Sequence, residues 1–97
     1  MEMIAPGLDD VKAAHARILS HVQRTPILEN DYLNERFAAQ LFFKCENLQK
    51  IGAFKARGAC NAILGLTEAD CTGGVATHSS GNHGAAVAMA ARKRGIT

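Results

Sequence analysis

Apolar residues recur at Val11, Ala14, Ile18, Leu19 and Val22, a spacing of three and four that lays them along one face of a helix. Asp9 or Asp10 can cap its start, and Pro26 cannot continue it. The residue before a proline is pushed from helical angles, so Thr25-Pro26-Ile27-Leu28 reads as extended. Asn30 or Asp31 opens a second, short helix carrying Leu33 and Phe37. The run Leu41-Phe42-Phe43-Lys44-Cys45-Glu46 then predicts a strand, its aromatic content suiting a pleated, half-buried surface. Residues 47–52 form a polar loop, followed by a helix from Lys55 to about Leu64 that turns Ala59, Ile63 and Leu66 inward. A linker over 67–74 contains Gly73-Gly74, flexible enough to divide two lobes. Val75-Ala76-Thr77 reads as a short buried strand, Ser79-Ser80-Gly81-Asn82 as a tight polar turn, and 83–94 as an Ala-rich helix. That helix is apolar on almost every side and so calls for cover on more than one face. A strand and its crossover helix demand a second parallel strand, which would begin after Gly95.

Composition narrows the class. A chain of 97 residues, 47% hydrophobic and 21% charged, is ordinary for a globular domain and argues against disorder. A chain this short buries roughly 60 to 65% of its unfolded surface. Trp is absent and five residues are aromatic, so the core rests on Ala, Leu, Ile and Val. Eleven basic against nine acidic residues give +2, too little for a nucleic-acid or membrane surface. Arg92-Lys93-Arg94 closes the last helix, where positive charge complements the helix dipole. His15 and His21 lie six apart, off one another's face, and read as solvent-side or packing residues. Cys45, Cys60 and Cys71 offer no close pair and suggest reduced thiols. A metal site from Cys71, His78 and His83 is disfavoured because strand and turn point those side chains apart, so none is expected. No apolar run has the length of a signal peptide or membrane span, and a cytoplasmic protein is expected.

Two short runs carry candidate chemistry. In Gly52-Ala53-Phe54-Lys55-Ala56-Arg57-Gly58-Ala59, a lysine stands among small and apolar neighbours where a loop becomes a helix. Shielded from water, its amine should lose its proton more readily, and a neutral amine condenses with aldehydes. The other reading is a surface lysine whose stem lies past Phe54. The second run, Thr77-His78-Ser79-Ser80-Gly81-Asn82-His83-Gly84, has the order strand, turn, helix. That order aims free backbone N–H groups at an anion, beside two hydroxyls and a carboxamide, with Gly81 and Gly84 permitting close approach. A carboxylate or a phosphate would suit it.

With both runs present, the chain resembles the N-terminal part of the fold-type II pyridoxal-phosphate enzymes, in their serine/threonine dehydratase and serine racemase branch. The likeness runs from Thr25-Pro26-Ile27-Leu28 through Phe42-Phe43-Lys44-Cys45-Glu46-Asn47 and Lys50 to Gly95. It implies an α/β chain, an incomplete three-layer α/β/α fragment of the tryptophan-synthase-beta-like fold. Residues 1–72 would hold the N-terminal helices, strand and Lys55 helix, and 73–97 the start of the smaller lobe. Lys55 would bind pyridoxal 5'-phosphate through its amine and act as acid and base on one face of the substrate. Phe54 would pack beside the cofactor, and Asn82 would hydrogen-bond its ring hydroxyl oxygen. Ser79, Ser80, Gly81, Asn82 and His83 would receive the substrate carboxylate. Ser80 matches the opposite-face proton carrier of the racemases.

The resemblance further implies a small amino-acid substrate (threonine, serine or 3-hydroxyaspartate), no nucleic-acid or membrane partner, and a homo-oligomeric full-length enzyme. Ile51 stands where many relatives have threonine and Ala53 where many have serine. Loss of that hydroxyl puts in doubt the nucleotide effector that Lys50 and its neighbour help bind in the racemases. The family's phosphate-cradling loop, cation site and pyridine-nitrogen partner fall downstream of these residues, so the 97 residues alone are expected neither to retain cofactor nor to turn over substrate. Two alternatives stay open: a non-catalytic chain that associates with a full-length relative, and a cysteine or threonine synthase branch.

Overall fold

Small side chains decide how the two main helices meet. Helix α3 (Lys55–Leu64) buries Ala56, Ala59, Cys60 and Ile63, and α5 (Asn82–Arg94) buries Ala86, Ala90 and Ala91 against it. With little beyond Cβ between them, the backbones approach closely. Ile18, at the end of α1 (Leu8–Ile18), closes this core, with Val22, Ile51, Val75, Val87 and Ile96 packed at its margin. The computed structural model describes residues 3–97.

Beyond Ile18, the N-terminal elements add little to that core. Helix α1 is capped two or three residues earlier than expected: Gly7 is the N-cap, and Asp10 reaches back to accept from its N–H at 2.7 Å. Val22 lies beyond the helix, and Val11 and Leu19 stay about 60% exposed, so Ile18 alone of the predicted apolar face is buried. Helix α2 (Asp31–Phe37) starts as read, with the Asn30 side chain accepting from Leu33 N at 2.9 Å. The predicted strand over 41–46 shrinks to β2 (Phe43–Lys44), which pairs antiparallel with β1 (Ile27–Leu28), Ile27 opposite Lys44 and Leu28 opposite Phe43. Pairing stops where the chain turns into two single-turn 3₁₀ segments, Glu46–Leu48 and Lys50–Gly52.

Three further expectations are corrected. The linker contains a four-residue helix, α4 (Glu68–Cys71), nucleated because Thr67 and Asp70 cap one another reciprocally. Val75-Ala76-Thr77 is not a strand: its one ladder-like bond runs from Val75 N to Thr97 O at 2.8 Å. A strand exists only where a partner takes its backbone groups, and the described residues offer that partner at one end alone. Helix α5, finally, is covered on one face, and Ala85 and Ala88 are exposed. The terminal basic cluster does more than sit on its own dipole. Arg94 donates to the Ile63 carbonyl at the end of α3 and reaches Glu68 at 3.3 Å, fastening α5 to α3 and α4.

Candidate functional site

The approach to Lys55 is built by polar side chains held out of water. Gln49, 4% exposed, accepts from Gln23 N at 2.8 Å and Lys50 N at 2.9 Å and donates to Gln23 O at 2.8 Å. Next, Ile51 (φ 59) and Gly52 (φ 74) take successive left-handed angles and swing the chain toward α3. Such a φ is a genuine outlier for a β-branched residue, and packing of the Ile51 side chain onto the core offsets its strain. Glu46 then ties the loop to α3: its carboxylate accepts from Arg57 Nε at 2.5 Å and Nη2 at 3.0 Å, and from Thr25 Oγ1 at 2.5 Å. Arg57 is two residues past Lys55, so this fork holds the first turn of α3.

Lys55 opens α3, and Phe54, its N-cap residue, contributes no side-chain cap. Lys55 is exposed, contrary to the dry setting the sequence suggested. Its Nζ lies 5.4 Å from the centroid of the Phe54 ring, itself 62% exposed. The cause is position: at the first turn of α3, the buried stripe begins at Ala56, and the lysine faces away from it.

The second run forms the entry to α5. Gly81 is the N-cap and Asn82 the first helical residue, one position earlier than expected. The N–H groups of Asn82, His83 and Gly84 have no acceptor within the helix. Ser79 Oγ accepts from Gly81 N at 3.2 Å, folding the turn onto itself. A Cβ on Gly84 would stand 3.2 Å from Ser79 O, so the loop lies tightly on the helix, whereas a Cβ on Gly81 would meet nothing within 4 Å. Ser79, Ser80, Gly81, Asn82 and His83 are all exposed.

A cleft of about 380 Å³ joins the two runs, lined by Phe54, Lys55, Arg57, Gly58, Ala59 and His83. It continues into an apolar cleft of about 370 Å³ bounded by Ala59, Ile63, Val75, Thr77 and Val87, with His83 common to both. The structure therefore brings Phe54, Lys55 and His83 together, while Ser79, Ser80, Gly81 and Asn82 stand beside the cleft without lining it. Cys71, His78 and His83 do not gather into a metal-binding group among the described residues. No described helix is long and apolar enough to cross a membrane.

Sequence reading missed the supporting network of Thr25, Gln49, Glu46 and Arg57. The signal available was an acid in the loop before a helix whose first turn carries an arginine, two types that seldom go unpaired in a half-buried place. The electrostatics bear its mark. The Arg57 guanidinium, above all, holds the Glu46 carboxyl down to about 2, against the opposing effect of burial and with help from Thr25 and the charge of Lys44. Elsewhere, the neighbouring Lys93 ammonium, then burial, holds the Lys50 amine below the usual lysine range. Burial pushes the Cys60 thiol up, partly offset by Lys93 and Lys50.

Residues 18–97 match the family described as pyridoxal-phosphate dependent enzyme. The chain is 58% identical over 94 residues to the beta-hydroxyaspartate dehydratase of Paracoccus denitrificans, covering 97% of this chain and 30% of that protein. It is 54% identical over 92 residues to the serine racemase of Dictyostelium discoideum, covering 95% of this chain and 28% of the relative. The structure of maize serine racemase superposes with a TM-score of 0.88 at 50% identity, over 92% of this chain and 28% of that one. The chain thus spans under a third of the length of these relatives. With the match extending from the end of α1 through α5, the chain belongs to the pyridoxal-phosphate dependent enzyme family and represents the fold-type II architecture in part.

Proposed function

We propose that the protein carrying this chain acts on a β-hydroxy amino acid, as a dehydratase that releases ammonia or as a racemase. The supporting observation is the cleft lined both by Lys55, at the start of α3, and by His83, in the first turn of α5.

The residues present fit pyridoxal phosphate by the chemistry of the donor set: an exposed primary amine, an aromatic face 5.4 Å from it, and a carboxamide on the neighbouring helix start. Lys55 Nζ, Phe54 and Asn82 would hold it. When bound, the cofactor supplies an electron sink for a substrate's α carbon. Lys55 Nζ is the amine in the cleft able to take and return the α proton, a role worth roughly a hundred- to ten-thousandfold in rate. Ser80 Oγ, on the α5 side, is the second proton carrier. The free N–H groups at the start of α5, with the hydroxyls of Ser79 and Ser80 and the side chain of His83, orient the substrate by its carboxylate.

Borohydride reduction of the full-length enzyme, followed by peptide mass mapping, should find the cofactor on Lys55. A label on any other lysine would end this assignment.

A further inference from the structure

Next to the candidate cleft, with which it shares Arg57, basic side chains converge on a second pocket of about 460 Å³ lined by His15, Leu19, Arg24, Lys44 and Arg57. Arg24 and Lys44 also line an adjoining cavity of about 520 Å³, whose remaining walls are Thr25, Pro26 and Ile27. Arg24, Lys44 and Arg57 thus line these cavities with no carboxylate among the lining residues, and both oxygens of Glu46, the partner of Arg57, are already taken by Arg57 and Thr25.

The donors are only partly used. Among the described residues, Arg57 spends Nε and Nη2 on Glu46 and the Gln23 carbonyl, leaving Nη1 unbonded. Lys44 Nζ makes one bond, to Thr25 O at 2.6 Å, leaving two N–H groups. That bond fixes its ammonium at the boundary of the two cavities. Arg24 makes no side-chain hydrogen bond or ion pair among the described residues. The heightened acidity of Glu46, to which the charge of Lys44 contributes, agrees with a positive local field.

We propose that this pocket binds a phosphate group, held by Arg24, Lys44 and Arg57, with the apolar body of a small phosphate ester lying over Pro26 and Ile27. Guanidinium groups match phosphate oxygens in pairs, and the combined cavities exceed what a free phosphate fills. The site stands on its own geometry and does not depend on the role given to Lys55.

The test is calorimetric titration of the full-length protein, saturated with pyridoxal phosphate so that its own phosphate site is filled. The probes are phenyl phosphate and inorganic phosphate at constant ionic strength. Binding is expected, weakened about tenfold in Arg24→Gln, the loss of one charge-assisted contact. Arg24 is exposed and unpaired among the described residues, so the variant should keep the wild-type melting temperature. Tighter binding of phenyl phosphate names an ester as the source, and equal binding names the free anion; either supports the site. Absence of binding, or binding unaltered by Arg24→Gln, overturns it.

Discussion

At the scale of single residues, the carboxylate of Glu46 matters most to the placement of α3. It is half-buried and joined to Arg57 and Thr25. Because its folded-state acidity is raised, its stabilising effect is fully present above the ordinary range near 4.5 and is lost as pH falls from there through about 2. Glu46→Gln should therefore cost about 2 kcal/mol at neutral pH. The gap in thermal midpoint between wild type and variant should narrow progressively below pH 4.5, the ordinary value for this group. A gap that stays constant down to pH 3 would show that the pair does not carry the effect, since only about two-fifths of the titration range would by then be left. Ile51 illustrates the opposite balance. Its left-handed backbone costs about 1 to 3 kcal/mol, and the side chain holds that angle by packing on the core.

Between elements, Gly74 makes the closest approach of any glycine, to the chain at Thr97. Gly74 has φ 78, and a Cβ there would lie 2.7 Å from Thr97 O. Gly74→Ala should destabilise by about 1 to 2 kcal/mol from the backbone angle alone, with the clash added, and Gly73→Ala, where nothing stands within 4 Å, by under about 0.5. Denaturant midpoints of the two variants test this, and equal values would refute it. Helices were the more legible elements in the sequence because their caps and periodicities are local: Asn30 before α2 and Gly95 after α5 act within one turn. Strands were not, since their existence depends on partners that periodicity does not specify. That is why 41–46 contracts to Phe43–Lys44 and 75–77 carries a single bond. The lysine and the α5 entry loop were legible as motifs. The exposure of Lys55 was not, because apolar sequence neighbours say nothing about which way a first-turn side chain faces.

For the whole molecule, shape decides behaviour. The radius of gyration is 16.7 Å and the extents are 54 × 30 × 25 Å, whereas a compact chain of this length would have a radius near ~12.5 Å. Ile27, Leu28, Phe42, Phe43 and Phe54 stand between 46 and 62% exposed. A surface so apolar seeks cover. The isolated 97-residue chain should bind a hydrophobic dye and grow in sedimentation size with concentration. A dye-silent monomer with a sharp thermal transition would refute this.

The alanine seam between α3 and α5 sets the tolerance of the cleft. Long side chains in a joint can swap rotamers and let their helices slide; methyl groups have none to swap. With Cys60 and Ile63 the larger side chains in the joint, the amine on one helix start and the anion-receiving bend on the other are gauged largely by backbone thickness, a spacer with few adjustable parts. Movement that opens or closes this groove should therefore come more from the loops that flank the two helices than from sliding along the seam.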